Sequence, residues 1–205
     1  MAWAPHPILL ESFATIDREI GEHTLSPEEY AIARRVIHST ADFEFKDLLR
    51  FSPRAIAIAL EALAAGTPII TDVTMVRQGI ATMVGQTFQN PLICAVEEAT
   101  EALPGRTRTE TGLLRCLERF PQGIYVIGNA PTALLALCDS LPTAPVAPAL
   151  VIGAPVGFVA VVESKAALAQ QGVPQIRVEG RKGGSPAAAA IVNALLVLAW
   201  ERRSP

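Results

Sequence analysis

The sequence predicts an open, mostly parallel, three-layer α/β/α domain with a five-stranded sheet and an N-terminal helical segment. Three observations carry that expectation. Beyond about residue 67, short runs rich in β-branched residues alternate with helical segments, the pattern of repeated βα units. These runs are apolar throughout instead of alternating, which marks strands covered on both faces. The chain has 205 residues, 50% hydrophobic and 18% charged, enough to bury such a core within one domain spanning 1–205.

The elements follow in order. Ser26-Pro27-Glu28-Glu29 is a helix start, with Ser as N-cap, Pro in the first turn and acids facing the positive end of the macrodipole. That helix should run to about His38 and bury Tyr30, Ala33 and Ile37. Ser52-Pro53-Arg54 reads as a second start, opening an Ala-rich helix that Gly66 terminates. The five expected strands are 68–72, 92–96, 124–128, 149–153 and 175–179. Helices are expected near 73–83, 108–119, 131–140 and 164–171, with a last one after Ser185-Pro186. The part before about residue 67 reads as a helical preface, since no composition break marks a separate domain.

Charge and cysteine content exclude several function classes. With a net charge of −3, the whole-molecule field does not favour nucleic acid or an anionic membrane, although a small anion needs only a few local cations. Cys94, Cys116 and Cys138 are an odd set with wide, even spacing, so they read as reduced core thiols. The N-terminal residues lack the basic stretch and apolar run of a signal peptide, so a cytoplasmic location is expected. The uncharged run 141–162 is long enough to span a bilayer, but Pro142, Pro145, Pro148, Pro155, Gly153 and Gly157 make it loop, strand and turn. The apolar stretch 187–200 is too short for a span and is interrupted by Asn193, which fits a buried helix.

An open parallel sheet binds ligands beyond the carboxyl ends of its strands. Those ends carry 72–77, 97–98, 128–132, 153–157 and 180–185, three of them glycine-containing turns. Gly180-Arg181-Lys182-Gly183-Gly184-Ser185 combines two cations, open backbone and a helix start, which reads as an anion cradle or, more plainly, as a tight turn with solvated charges. His38 is the sharpest single candidate: an imidazole exchanges protons near pH 7, while its bland role is to cap helix carbonyls. Asp72 has helix capping as its simple reading, and Arg77 and Arg108 have ion pairing. Ser12 and Thr15 likewise read first as caps, and Asn129 and Thr132 as turn residues. No phosphate-loop or dinucleotide fingerprint, hydrolase triad or metal-ligand cluster is written in the chain.

Seven segments together resemble the precorrin-8X methylmutase family of cobalamin biosynthesis. They are Ser12-Phe13; Val36-Ile37-His38 with Asp42; Asp72 to Val76 with Gly79; Thr107-Arg108; Gly128-Asn129-Ala130-Pro131-Thr132-Ala133-Leu134; Gly153 to Val159 with Glu163-Ser164-Lys165; and Gly180 to Ser185 with Asn193. They run in order from the first helix to the last. Ala41 departs from the pattern, since many relatives carry Gly there.

The resemblance implies a flavodoxin-like homodimer that uses no added organic cofactor and no protein-bound metal. It implies an isomerase moving a methyl group from C-11 to C-12 of a corrinoid tetrapyrrole, with or without cobalt. The family's catalytic histidine falls on His38, and its substrate-contacting serine and arginine fall on Ser12 and Arg108. Thr15, Asp72, Met75, Arg77, Asn129, Thr132, Arg181, Lys182, Gly183 and Gly184 complete the expected substrate-binding set. A carrier that binds the tetrapyrrole without turnover is the competing reading, and a generic flavin or nucleotide binder is disfavoured by the missing phosphate fingerprints.

Overall fold

The computed structural model describes residues 6–203, so residues 1–5, where the sequence shows no signal-peptide pattern, lie outside the described residues. In chain order the elements are α1 (Pro7–Glu19), α2 (Pro27–Thr40), α3 (Phe45–Leu48), β1 (Leu49–Phe51), α4 (Ala55–Ala64), β2 (Ile69–Thr71), α5 (Thr74–Gln86), β3 (Leu92–Cys94), α6 (Arg108–Arg119), β4 (Ile124–Ile127), α7 (Pro131–Ser140), β5 (Leu150–Gly153), α8 (Val161–Ala169), β6 (Gln175–Val178) and α9 (Ser185–Arg203). The sheet order is β1-β6-β5-β4-β2-β3, all parallel except the β1–β6 pair. The five parallel strands therefore follow the flavodoxin order, reversing between β2 and β4.

The sheet has six strands among the described residues, not five. The extra strand is Leu-Arg-Phe in the supposed helical preface, registered Leu49 to Val178 and Phe51 to Ile176. Three residues carry too little periodicity to be recognised locally; pairing with β6 makes them a strand.

Adjacent strand residues face opposite helical layers, which explains why the central strands β4 and β5 are apolar at successive positions instead of alternating. Ile69, Ile124, Val126, Ile152 and Ile176 pack with α2, α4, α5 and α9. Ile70, Tyr125, Ile127 and Val151 pack with α6, α7 and α8 through Leu113, Leu134 and Leu168. The Ala-rich α9 lies close against α5, where a Cβ on Gly79 would stand 2.8 Å from Ala189. Asn193, the polar interruption of the last apolar run, donates from Nδ2 to the Gly79 carbonyl at 2.9 Å across the same contact.

Ser26 is the expected N-cap and also closes a capping box with Glu29, and α4 is followed by Gly66 in the left-handed region at φ +76°. Two helix starts differ from expectation. Arg54, not Ser52, caps α4, while the Ser52 hydroxyl accepts the Gln175 N–H at 2.9 Å and fastens the end of β1 to β6. Helix α8 begins at Val161 because Ala160 takes a left-handed conformation immediately before it. Helix α1 is capped by His6, which places Ser12 and Thr15 mid-helix and removes capping as their role.

Candidate active site

A cleft of about 420 Å³ opens between α1 and the last turn of α2. Ile8, Ile16, Ile37 and Phe43 supply apolar walls, and Glu11, Ser12, Thr15 and His38 supply its polar groups. Ser12 and Thr15 lie nearly one helical turn apart, so the geometry of α1 presents both to the same space. His38 stands in the final turn of α2, where its Nδ1 lies 2.7 Å from Ser12 Oγ. Phe13 meets the imidazole edge-on at 5.5 Å between ring centroids. With Nδ1 engaged, Nε2 has no protein partner among the described residues. His38 therefore does not cap its own helix through a backbone carbonyl.

Burial holds the His38 pKa below its ordinary value, with the Arg35 guanidinium contributing in the same direction. Arg35 is half-buried and makes no hydrogen bond or ion pair among the described residues, and burial depresses its own pKa. Its influence on His38 was not legible in the sequence, although its position one helical turn earlier was the available signal.

The chain turns out of α2 through Ala41, at φ +54°. Asp42 follows and pairs with Lys182 at 2.6 Å; Lys182 also reaches Glu44 at 3.0 Å. The hydrogen bond from Lys182 holds the Asp42 carboxyl below its usual range, and both carboxylates raise the lysine pKa. The 180–184 turn is thus tied to the end of the histidine-bearing helix.

That turn is less open than a free anion cradle. The Gly184 N–H donates to the Ala154 carbonyl at 2.8 Å, and the Gly157 N–H donates to the Arg181 carbonyl at 3.3 Å. A Cβ on Gly183 would stand 2.4 Å from the Ala154 carbonyl oxygen, so glycine is required there by close approach as well as by its φ of +149°. Lys182 is already paired. Arg181 is exposed, has no ion-pair partner among the described residues and lies 5.7 Å from the Phe158 ring centroid.

At the β2/β4 reversal the expected residues serve one another. Asp72 is fully buried and accepts backbone N–H groups from Val73 at 2.9 Å, Asn129 at 2.6 Å and Ala130 at 2.8 Å. Burial raises its pKa and the N–H donors oppose that rise. The expectation that Asp72 touches a ligand is therefore corrected: its carboxylate shapes the 128–130 turn from within. Arg77 makes a bidentate pair with Glu97, and Arg108 donates to the carbonyls of Ala99 at 3.1 Å and Val96 at 3.0 Å. Met75 and Asn129 are exposed, and Thr132 is half-exposed beside them at the start of α7. Ser12, Thr15 and His38 thus share one cleft, whereas Asp72, Met75, Arg77, Arg108, Asn129 and Thr132 do not line it.

Among the described residues, no group of three His, Cys, Asp or Glu side chains converges to hold a metal. No helix among them is long and apolar enough to cross a membrane.

Residues 7–198 match the family model for precorrin-8X methylmutase. The chain belongs to the precorrin-8X methylmutase family. Its similarity to family members extends over nearly its whole length. It is 59% identical to a cobalt-precorrin-8 methylmutase of a Synechocystis strain, over 95% of this chain and 96% of that one. It is 43% identical to a precorrin-8X methylmutase of Pseudomonas aeruginosa, over 92% and 93% of the two chains. The crystal structure of precorrin-8X methylmutase from Thermus thermophilus superposes with a TM-score of 0.89 at 41% identity, covering 95% of this chain and 96% of that one. The flavodoxin-like expectation and the family resemblance are both borne out.

Proposed function

We propose that this protein is the isomerase of cobalamin biosynthesis that moves the C-11 methyl group of precorrin-8X, or of its cobalt form, to C-12. The observation that carries this reading is the oriented His38–Ser12 pair in an open cleft of a chain belonging to the methylmutase family. In the migration the methyl bond at C-11 breaks as the bond at C-12 forms, while the conjugated system redistributes its electrons. Substrate and product are isomers, so no redox equivalent enters and any proton given at one ring atom is balanced by loss at another.

The chain's contribution is to bind, orient and protonate. Ser12 accepts from the Nδ1–H of the imidazolium and leaves the Nε2–H to donate to a ring nitrogen or the developing conjugated system. Burial and Arg35 disfavour the charged imidazole, which makes His38⁺ a readier acid. Thr15 lines the same wall, its hydroxyl donating to the Glu11 carbonyl and accepting from Arg18. Arg181 supplies an unpaired cation for a substrate carboxylate; Arg108, Asn129, Thr132 and Met75 are assigned to further substrate contacts outside the cleft, with Asp72 shaping the 128–130 turn and Lys182 and Gly183 the 180–184 turn.

We read the 205 residues as one cytoplasmic domain that works as a homodimer, with no nucleic-acid or membrane partner. Phe158 and Val159 are 87% and 82% exposed, an apolar crest suited to a second copy. Conversion of precorrin-8X to hydrogenobyrinic acid by the purified protein, followed by the product's absorption spectrum, tests the assignment. Loss of turnover in His38→Ala with product affinity retained supports catalysis; binding without turnover in the wild type identifies a carrier instead.

A further inference from the structure

Lys165 is a buried cation with no part in the chemistry above. It lies on α8, is 2% exposed, and has no carboxylate partner among the described residues. Its Nζ donates to the Gly180 carbonyl at 2.9 Å and to the Lys182 carbonyl at 2.7 Å. Those carbonyls belong to the Gly180–Arg181 and Lys182–Gly183 peptides, so one ammonium pins the turn both before and after the free cation. The same turn is held from the other side by the Gly184 N–H on Ala154 and the Gly157 N–H on the Arg181 carbonyl. Its Lys182 side chain reaches Asp42, just past the helix that carries His38.

We propose that Lys165 is a positioning residue for the methylmutase reaction: its buried ammonium sets the direction of Arg181 toward a carboxylate of the corrinoid and, through Lys182, holds that turn in register with the end of α2. This rests on the proposed function, in which Arg181 binds substrate.

Stability alone does not account for a charge at this place. Burying an ammonium without a counter-ion is unfavourable, and a methionine of similar length would fill the same space without that cost. The cost is visible in the lysine itself, whose pKa is pushed down to about 8 by burial. What methionine cannot do is chelate two carbonyls at fixed angles, and small displacements of a substrate-binding group lower activity steeply.

The test is a kinetic double-mutant cycle on the full-length protein with precorrin-8X as substrate, comparing wild type, Lys165→Met, Arg181→Gln and the double variant. Lys165→Met should raise KM about ten-fold while kcat changes by less than about three-fold, because His38 is untouched. The double variant should be no worse than Arg181→Gln alone, and Lys165→Arg should recover much of the loss. A KM unchanged in folded Lys165→Met, or effects of the two substitutions that multiply, overturns the proposal and leaves Lys165 a structural residue. An Arg181→Gln enzyme with wild-type KM removes the reading of Arg181 and with it this one. Absence of wild-type turnover and of hydrogenobyrinic acid binding defeats the functional assignment itself. Should Lys165→Met not fold, hydrogen exchange on wild type decides: hydrogenobyrinic acid should protect the 180–184 amides, and unchanged exchange there overturns the proposal.

Discussion

Ser12 Oγ and His38 Nδ1, 2.7 Å apart, join the middle of α1 to the last turn of α2. The contact selects which imidazole nitrogen faces the open space. His38→Ala should lower turnover by about 10²- to 10⁴-fold, the range of a lost general acid, and change product affinity only several-fold. Ser12→Ala should lower kcat by about ten-fold, because the ring remains but loses its orientation. Single-turnover conversion and a product-binding titration separate the two effects.

The pH dependence has a definite sign. An imidazolium donor is active below its pKa, and burial, with Arg35 second, puts the free-enzyme value below the ordinary 6.5. The profile of kcat/KM should therefore fall as pH rises through a point below 6.5. Arg35→Gln removes the like charge and should move that limb upward, though not fully to 6.5, since burial is the larger cause. A limb that does not move with Arg35→Gln argues that another group titrates.

Ala41 holds a left-handed conformation, at φ +54°, that is unfavourable for a residue with a Cβ. Ala41→Gly relieves about 1–2 kcal/mol of strain and gives back about 0.4–1 kcal/mol through the more flexible unfolded chain. Calorimetry should show a net gain of about 1 kcal/mol, a rise of roughly 2–4 °C in Tm for a chain of this length.

Asp72 has its carboxylate filled by three backbone N–H groups in a fully buried position. Asp72→Asn keeps the shape but turns an NH₂ toward donors, leaving groups without acceptors. Stability should fall by about 3 kcal/mol in denaturant unfolding, and activity should fall as the 128–132 turn shifts.

The apolar crest gives a separate expectation. Phe158→Glu places a charge on its most exposed member, so sedimentation equilibrium should show a shift from dimer toward monomer with the fold intact by circular dichroism. A wild-type monomer at micromolar concentration, or an unaffected dimer in the variant, removes this surface as the interface.

Much of this protein is legible in its amino-acid sequence because the deciding signals are local. Ser26-Pro27 with Glu29 starts α2 wherever the chain lies, and the unbroken apolar runs at β2, β4 and β5 can be stable only under helices on both sides. His38, the glycine turns and the family resemblance were likewise readable from residue type and order. Other features depend on partners distant in the chain. Leu49–Phe51 is a strand because β6 lies beside it, and Ser52 is a tie because Gln175 presents an N–H to it. Whether Asp72 faces a ligand or the interior, whether Lys182 is free or paired, and which nitrogen of His38 is available were decided by Asn129, Asp42 and Ser12. Lys165 shows the distinction most clearly: its position on α8 follows from sequence, but only the closure of β5 and β6 brings two carbonyls within reach of its ammonium. Residue order determines propensity and reactive group; burial and the nearest polar partner, which set charge state and direction, exist only once the chain has packed.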